Sequence, residues 1–325
     1  MSQAEDGSTK AVVTAVIANG LVTIAKFVGF AFSGSSALLA EAIHSLADTA
    51  NQALLYLGLK RAQRPADEKH PFGYGHEQYF WNLVSAVTIF FLGCIYTTMH
   101  SLEQLKYGHT PEMSWIAFGI IGFAFVVECY SLWVALVEFN RQRHVEEKSF
   151  IQYFRETRDP TTLAILIEDS VAVLGLLFAL VGMSLAAYTG SALFDIAAAL
   201  AIAALMGFLA FFLAATNKKY LLNISDEEVN DVAFQAWSND ERVQSVRHIH
   251  SIVLSPDQSL VMAEVELREE ALFADMSQEE IRRAIQFMNR LHIVRESLER
   301  KVSESASEAQ HIYIEFTGLP KDKEN

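Results

Sequence analysis

The chain is poor in cysteine and in positive charge, and each shortage excludes a class of protein. Only two cysteines occur among 325 residues, Cys94 and Cys129, and both stand inside apolar runs. This excludes a disulfide-stapled scaffold and a thiolate zinc site of the CxxC kind. Lysine and arginine total 25 against 39 acidic residues, which gives a formal net charge of −14. We expect no nucleic-acid partner, because neutralising phosphates takes clustered basic side chains.

Motifs of common enzyme classes are also missing. The sequence contains no HExxH, no Ser/His/Asp arrangement and no phosphate-binding loop of an ATPase. We therefore do not expect an enzyme. The first residues, MSQAEDGSTKAVV, include acids early, which predicts neither a transit peptide nor a cleavable signal.

Long apolar runs are what the sequence has in abundance. Hydrophobic residues make up 51% of the chain, and the mean hydropathy of +0.20 is unusual for a soluble protein. A bilayer is crossed by about 20 apolar residues in a helix. Six segments qualify, at about residues 11–32, 36–60, 80–103, 114–139, 161–187 and 191–215. The sequence thus predicts an all-α bundle of six transmembrane helices over residues 1–219, with a separate domain over residues 220–325.

Loop charges predict how the bundle lies in the membrane. The connections FSGSS and AAYTGS carry no charge, and EQLKYGHTPE holds one basic residue, Lys106. The loops on the other side are basic, with Lys60, Arg61, Arg64, Lys69, Arg141, Arg143, Lys148, Arg155, Arg158, Lys218 and Lys219. Because basic loops stay on the cytoplasmic side, both termini should face the cytoplasm, or the matrix of an organelle. In a bacterium the membrane would be the plasma (inner) membrane.

After residue 220 the sequence becomes charged and alternates between helix and strand patterns. Capping boxes at Ser225–Glu228 and Ser277–Glu280 each begin a helix. VRHIHSIVL and SLVMAEVEL have strand patterns and flank the turn SPDQS, and QHIYIEF has the pattern of a closing strand. The order α-β-β-α-β predicts a cytoplasmic α/β domain of ferredoxin-like type.

Ionisable residues interrupt the second span, LLAEAIHSLADTANQALL. His44 and Asp48 are four residues apart and share one helix face, with Glu41 one turn earlier. An ionisable side chain at the bilayer centre costs about 2.5–3.5 kcal/mol on insertion scales, so it normally faces a cavity or a partner. Imidazole and carboxylate suit zinc and related divalent metals. Glu168 and Asp169 in the fifth span would complete a tetrahedral site; hydrogen-bonded pairs that stabilise helix packing are the alternative.

Other polar residues lie within the predicted spans. Lys26 in the first span is predicted to pair with an acid, given its depth. Asn19, Glu128 and Asp195 could line a cation path, but packing and interhelical hydrogen bonding explain them equally well.

The segment GSSALLAEAIHSLADTANQALL resembles the second-helix signature of the cation diffusion facilitators, which exchange divalent cations for protons. RDPTTLAILIEDSVAVLG and RQRHVEEKSFIQYFRETRDP are similar to the zinc transporter branch typified by the ninth member of solute carrier family thirty. The resemblance implies a homodimeric secondary transporter in the lipid membrane that exports zinc from the cytoplasm against protons. Manganese, iron or cobalt as the transported ion, a cation channel and a metal sensor are the alternatives.

By this resemblance, His44 and Asp48 take the two transport-site positions of the second helix. The family supplies HxxxD in the fifth helix, where Asp169 matches the carboxylate and Ile165 stands at the histidine position. Glu168 is the candidate for the fourth ligand, although adjacent residues point about 100° apart on a helix. Water is the alternative.

The loop RPADEKHPFGYGHEQYF resembles a cytoplasmic metal site of the family in part. Asp67 and His70 match its positions, but Tyr74 replaces the usual second histidine. A Pro/Gly-rich turn with solvated histidines is the favoured alternative.

The tail keeps little of a two-metal site seen in the family. His250 matches a family histidine, whereas Glu315 and Thr317 stand where a histidine and an aspartate are expected. We therefore expect no filled two-zinc site in the tail.

Overall fold

A computed structural model describes residues 19–107, 112, 114–145, 149–156, 160–306, 309 and 312–316. The regular elements described in its first part are helices: α1 (Asn19–Ser33), α2 (Ser36–Ala62), α3 (Glu77–Thr88), a π-helical segment (Ile89–Tyr96), α4 (Thr97–Tyr107), α5 (Trp115–Val145), α6 (Phe150–Glu156), α7 (Pro160–Thr189) and α8 (Leu193–Leu221). The second part is mixed: α9 (Glu227–Ser238), β1 (Val243–Ser255), β2 (Gln258–Leu267), α10 (Glu269–Leu272) and α11 (Gln278–Ser305).

The chain forms two compact units. One comprises Met1–Glu227 with Ser251–Leu260, and the other comprises Glu228–His250 with Val261–Asn325.

Four of the predicted spans are confirmed as helices long and apolar enough to cross a membrane. They are Glu77–Lys106, Trp115–Val145, Leu163–Thr189 and Leu193–Leu221. The described part of α1 is shorter, and α2, although 27 residues long, is not among the four. The polar side chains of α2 lower its hydropathy, and several of them, including Glu41, His44 and Asn51, are buried.

The start of α2 is fixed by hydrogen bonds. Gly34 turns the chain between α1 and α2 with a φ of +65°, a conformation that glycine adopts without a steric penalty. Ser35 then caps α2, because its Oγ accepts a hydrogen bond of 3.1 Å from the backbone N–H of Leu38. Asp195 of α8 accepts hydrogen bonds from Ser35 Oγ at 2.5 Å and from the backbone N–H of Ser36 at 2.6 Å. Interhelical hydrogen bonding, one of the two alternatives for Asp195, therefore explains its burial.

Small residues let α7 and α8 approach closely, as is common among membrane helices. A Cβ atom on Gly182 would lie 2.4 Å from the Cβ of Ala198 and 2.9 Å from the carbonyl oxygen of Phe194. Large apolar side chains instead point outward from the helices, as Phe123 and Phe211 do with 66% and 76% exposure. This arrangement suits a helical unit surrounded by lipid.

The C-terminal part contains a two-stranded sheet of β1 and β2, joined at Pro256 and Asp257. The capping box of α11 is confirmed, since Glu280 accepts a 2.8 Å hydrogen bond from the backbone N–H of Ser277. The prediction of a closing strand is wrong for residues 312–316, which belong to neither helix nor strand. Their alternation suits a strand, but a strand also needs backbone pairing with a neighbour, and the described sheet has only β1 and β2. The described part therefore does not contain a ferredoxin-like sheet.

Candidate functional site

His44 and Asp48 form the centre of the candidate site on one face of α2. His44 is 2% exposed, and its Nε2 lies 3.2 Å from Asp48 Oδ2. Despite this distance, the orientation does not make a hydrogen bond, so both ring nitrogens lack a hydrogen-bond partner among the described residues. Asp48 Oδ1 is likewise buried and unpartnered there. Buried polar atoms are normally satisfied, so these atoms are available to bind a cation or protons.

The two acids of α7 point toward different helices. Glu168 Oε1 accepts a hydrogen bond of 3.1 Å from Asn51 Nδ2 on α2. Asp169 Oδ2 accepts one of 3.0 Å from Ser131 Oγ on α5. This divergence is expected from the rotation of about 100° per residue in an α-helix. Glu168 is therefore hydrogen-bonded to the helix that carries His44, whereas Asp169 is hydrogen-bonded to α5.

The predicted ligands are neighbours without forming a coordination shell. Within the described ranges, no group of three His, Cys, Asp or Glu side chains is placed to hold a metal ion. Glu168 nevertheless interacts electrostatically with His44 and Asp48. Glu128 of α5, whose role the sequence left open, interacts electrostatically with the same two residues. His44 therefore interacts electrostatically with acids from three helices.

A buried ion pair lies one turn from His44. Lys26 Nζ of α1 donates hydrogen bonds to Glu41 Oε2 at 3.0 Å and to Ser45 Oγ at 2.6 Å. The prediction that Lys26 pairs with an acid is confirmed. The second oxygen of this carboxylate, Glu41 Oε1, is buried without a hydrogen-bond partner in the described part of the chain. It faces α7, where a Cβ atom on Gly175 would approach it to 2.4 Å.

Asn51 is the polar residue that sequence reasoning missed. It lies three residues after Asp48 and seven after His44, a spacing that continues the same face of α2. It is 5% exposed and is hydrogen-bonded to both α3 and α7. The helical spacing indicates that Asn51 lies on the face of His44 and Asp48. Spacing alone does not show whether a buried amide bonds to a site residue or only packs between helices.

The loop residues Asp67 and His70 belong to a hydrogen-bonded turn. Asp67 Oδ1 accepts hydrogen bonds from the backbone N–H groups of Lys69 at 2.9 Å and His70 at 2.8 Å. Asp67 Oδ2 accepts one of 2.7 Å from the Tyr74 hydroxyl, which is the main cause holding the pKa of Asp67 below its usual value. Both carboxylate oxygens of Asp67 are therefore engaged within the turn.

The tail residues do not form a described cluster of metal ligands. His250 lies exposed on β1, with its ring centroid 6.5 Å from that of His248. Glu315 lies in the described segment 312–316, and Thr317 lies outside the described residues.

Comparisons with known proteins match most of the chain. Residues 12–222 match the family model of the cation efflux transmembrane domain. The chain is 34% identical over 262 residues to the human proton-coupled zinc antiporter SLC30A9, mitochondrial, covering 80% of this chain and 46% of that protein. It is 34% identical over 261 residues to metal tolerance protein C4 of Arabidopsis thaliana, covering 80% and 57%.

A more distant relative is similar in length to the chain. Magnetosome protein MamB of Magnetospira sp. (strain QH-2) is 26% identical over 269 residues, covering 80% of this chain and 85% of that protein. By contrast, the chain spans about half the length of the human and plant relatives.

Proposed function

Since the chain belongs to the cation efflux family, we propose that it is a secondary active transporter that exchanges a divalent metal cation, zinc, for protons. The family assignment rests on the match over residues 12–222. The observation that supports this function most directly is the buried His44–Asp48 pair, which has unpartnered polar atoms and interacts electrostatically with the Glu168 carboxylate of another helix. The zinc antiporter named among the relatives supports zinc as the cation.

We assign His44, Asp48 and Glu168 as the ligands that first meet the ion. Imidazole nitrogen and carboxylate oxygen form the donor set that zinc takes in proteins. Glu168 is preferred over Asp169 in this first step, because Glu168 already leans toward α2 through Asn51. Asp169 is the candidate for the fourth ligand once it leaves Ser131. Side-chain rotation must accompany binding, because the described side chains are not yet grouped to hold an ion.

The same ligands explain exchange for protons. Zinc binds deprotonated carboxylates and neutral imidazole, so binding releases protons and protonation expels the ion. Rocking of the bundle around the site would expose it first to one side of the membrane and then to the other. No covalent chemistry is involved.

The membrane arrangement is part of the proposal. We propose six spans over residues 1–219, with α1 and α2 completing the four apolar helices. A helix of 27 residues spans about 40 Å at 1.5 Å per residue, which is enough for a bilayer core of about 30 Å. The basic loops support termini in the cytoplasm, and the match to the cation efflux domain supports efflux as the direction of transport. We further propose a homodimer with C-terminal domains over residues 220–325.

The test is metal uptake into proteoliposomes with a panel of zinc, manganese, iron and cobalt, each with and without an imposed pH gradient. We expect zinc flux that follows the gradient and reverses when the gradient is reversed. A conductance indifferent to the gradient would favour a channel, and absence of flux for every metal would exclude transport. A His44→Ala variant reconstituted in parallel is the control for leak.

A further inference from the structure

Asn51 is a buried amide that connects three helices beside the proposed site. Its Nδ2 donates to Glu168 Oε1 of α7 at 3.1 Å, and its Oδ1 accepts from Ser85 Oγ of α3 at 2.5 Å. Asn51 and Ser85 are 5% and 1% exposed. Burial of an amide is unfavourable unless its polar groups are paired, and both ends of this amide have a partner. The three side chains therefore hold one another in a defined order.

The direction of the Asn51 amide is set by Ser85. A serine hydroxyl that donates to the carbonyl oxygen of the amide leaves the NH₂ group turned toward Glu168. Without that donor the amide can rotate and present its oxygen to the carboxylate, which would repel it. Ser85 thus acts on Glu168 through Asn51.

We propose that Asn51 is a positioning residue that holds Glu168 toward His44 and Asp48, with Ser85 fixing the amide. The inference rests on the proposed transport function and deepens it. Hydrogen bonds to one oxygen of a carboxylate orient the other oxygen toward the metal. Here Asn51 holds Oε1 of Glu168, and Oε2 is the oxygen that we assign to the ion.

The same bond explains how α7 supplies a ligand to α2. The adjacent acids on α7 point to different helices. Glu168 accepts its described hydrogen bond from α2, whereas Asp169 accepts its own from α5. Asn51 continues the face of His44 and Asp48 by one turn. It therefore draws the carboxylate to the face on which the two other ligands lie.

The test is a double-mutant cycle on zinc affinity, measured by calorimetry on the purified full chain in detergent. The variants are Asn51→Leu, which keeps the number and branching of the side-chain heavy atoms but has no polar ones, Glu168→Gln, and the combination. Loss of an outer hydrogen bond to a metal ligand costs about 10–100-fold in affinity, and we expect Asn51→Leu to fall in that range. Because Asn51 acts through Glu168, the combined variant should bind zinc no more weakly than Glu168→Gln alone.

Two further variants separate positioning from general packing. Ser85→Ala should weaken zinc binding in the same direction and add nothing in the Asn51→Leu background. Ser101→Ala is the matched control, since this buried serine donates to the Thr97 carbonyl oxygen of its own helix. It should leave zinc affinity unchanged. Unfolding temperature and size-exclusion profile are recorded for each protein, and Asn51→Ser replaces any Asn51→Leu protein that is not monodisperse.

The outcomes distinguish the two levels of the proposal. A wild-type chain that binds no divalent cation refutes the proposed function. Wild-type zinc affinity in Asn51→Leu, or losses of binding free energy that add in the combined variant, would refute only the positioning role of Asn51. The proposed transport function would stand.

Discussion

Lys26 and Glu41 form a fully buried ion pair between α1 and α2, with Nζ 3.0 Å from Oε2 and both side chains at most 1% exposed. Within the described helices of the first unit, Lys26 is the one lysine or arginine that does not lie near a helix end. An unpaired charge in the membrane interior is costly. The pair therefore anchors α1 to the helix that carries His44.

We expect Lys26→Met and Glu41→Gln each to destabilise the protein strongly. Breaking a buried ion pair leaves the other charge uncompensated, at a cost of about 3–5 kcal/mol. The combined variant removes both charges, so its loss in the free energy of unfolding should be smaller than the sum of the single losses. Unfolding in mixed detergent micelles measures all three. Additive losses would mean that the pair contributes nothing beyond packing.

Asp48→Ala should abolish zinc flux while leaving the protein folded. Asp48 Oδ1 has no hydrogen-bond partner among the described residues, so the substitution breaks no described hydrogen bond at that atom. It also removes a carboxyl group whose burial is unfavourable. Proteoliposome flux and the unfolding temperature are the two measurements. Asp67→Asn, in the exposed loop turn, is the control and should keep its flux. Normal flux in Asp48→Ala would remove this residue from the site.

The sequence was informative where helical spacing alone decides the geometry. The four-residue spacing placed His44 and Asp48 on one face, and depth in an apolar run predicted the acid partner of Lys26. Spacing could not show which acid of α7 turns toward α2, because that depends on helix packing. The alternation of apolar and polar residues over 312–316 predicted a strand that the structure does not contain there, since a strand forms only when its backbone pairs with a neighbour.

Gly182→Ala should destabilise the helical unit. The added Cβ would lie 2.9 Å from the carbonyl oxygen of Phe194, and overpacking costs about 1–3 kcal/mol. This exceeds the gain of about 1 kcal/mol from replacing glycine in a helix. Gly119→Ala is the matched control, because nothing lies within 4 Å of its added Cβ. Equal thermal unfolding temperatures for the two variants would contradict the close packing of α7 and α8.

Tyr74→Phe should raise the pKa of Asp67 toward its usual value. The Tyr74 hydroxyl is the main cause of the lowered pKa. A carboxyl whose folded-state pKa is depressed contributes stability above its unfolded pKa of about 3.9, and the contribution is lost as pH falls through the folded-state value. The variant should lose the part of that contribution that the Tyr74 hydroxyl provides, while the backbone hydrogen bonds from Lys69 and His70 remain. Carboxyl carbon NMR titration measures the shift, with Tyr188→Phe, at an exposed residue, as control; an unchanged Asp67 titration would contradict the hydrogen bond.

The proposed dimer should persist when metal is removed. Glu315 and Thr317 replace the ligands expected of a two-metal tail, and the described residues contain no metal-holding cluster. We therefore expect association to rest on apolar and polar packing. The mass of the full chain in detergent is measured by light scattering with and without a strong chelator, and we expect a dimer in both.

The Asp48→Ala variant makes this measurement specific to the tail, because it removes the transport site as a source of bound zinc. After dialysis it should retain less than one zinc ion per chain, about the level of a buffer blank. A dimer that separates when the chelator is added, or two tightly held zinc ions per chain in this variant, would show that metal bridges the tails. The unfolding temperature with and without chelator gives an independent reading, since a metal bound only to the folded state raises it. We expect no difference.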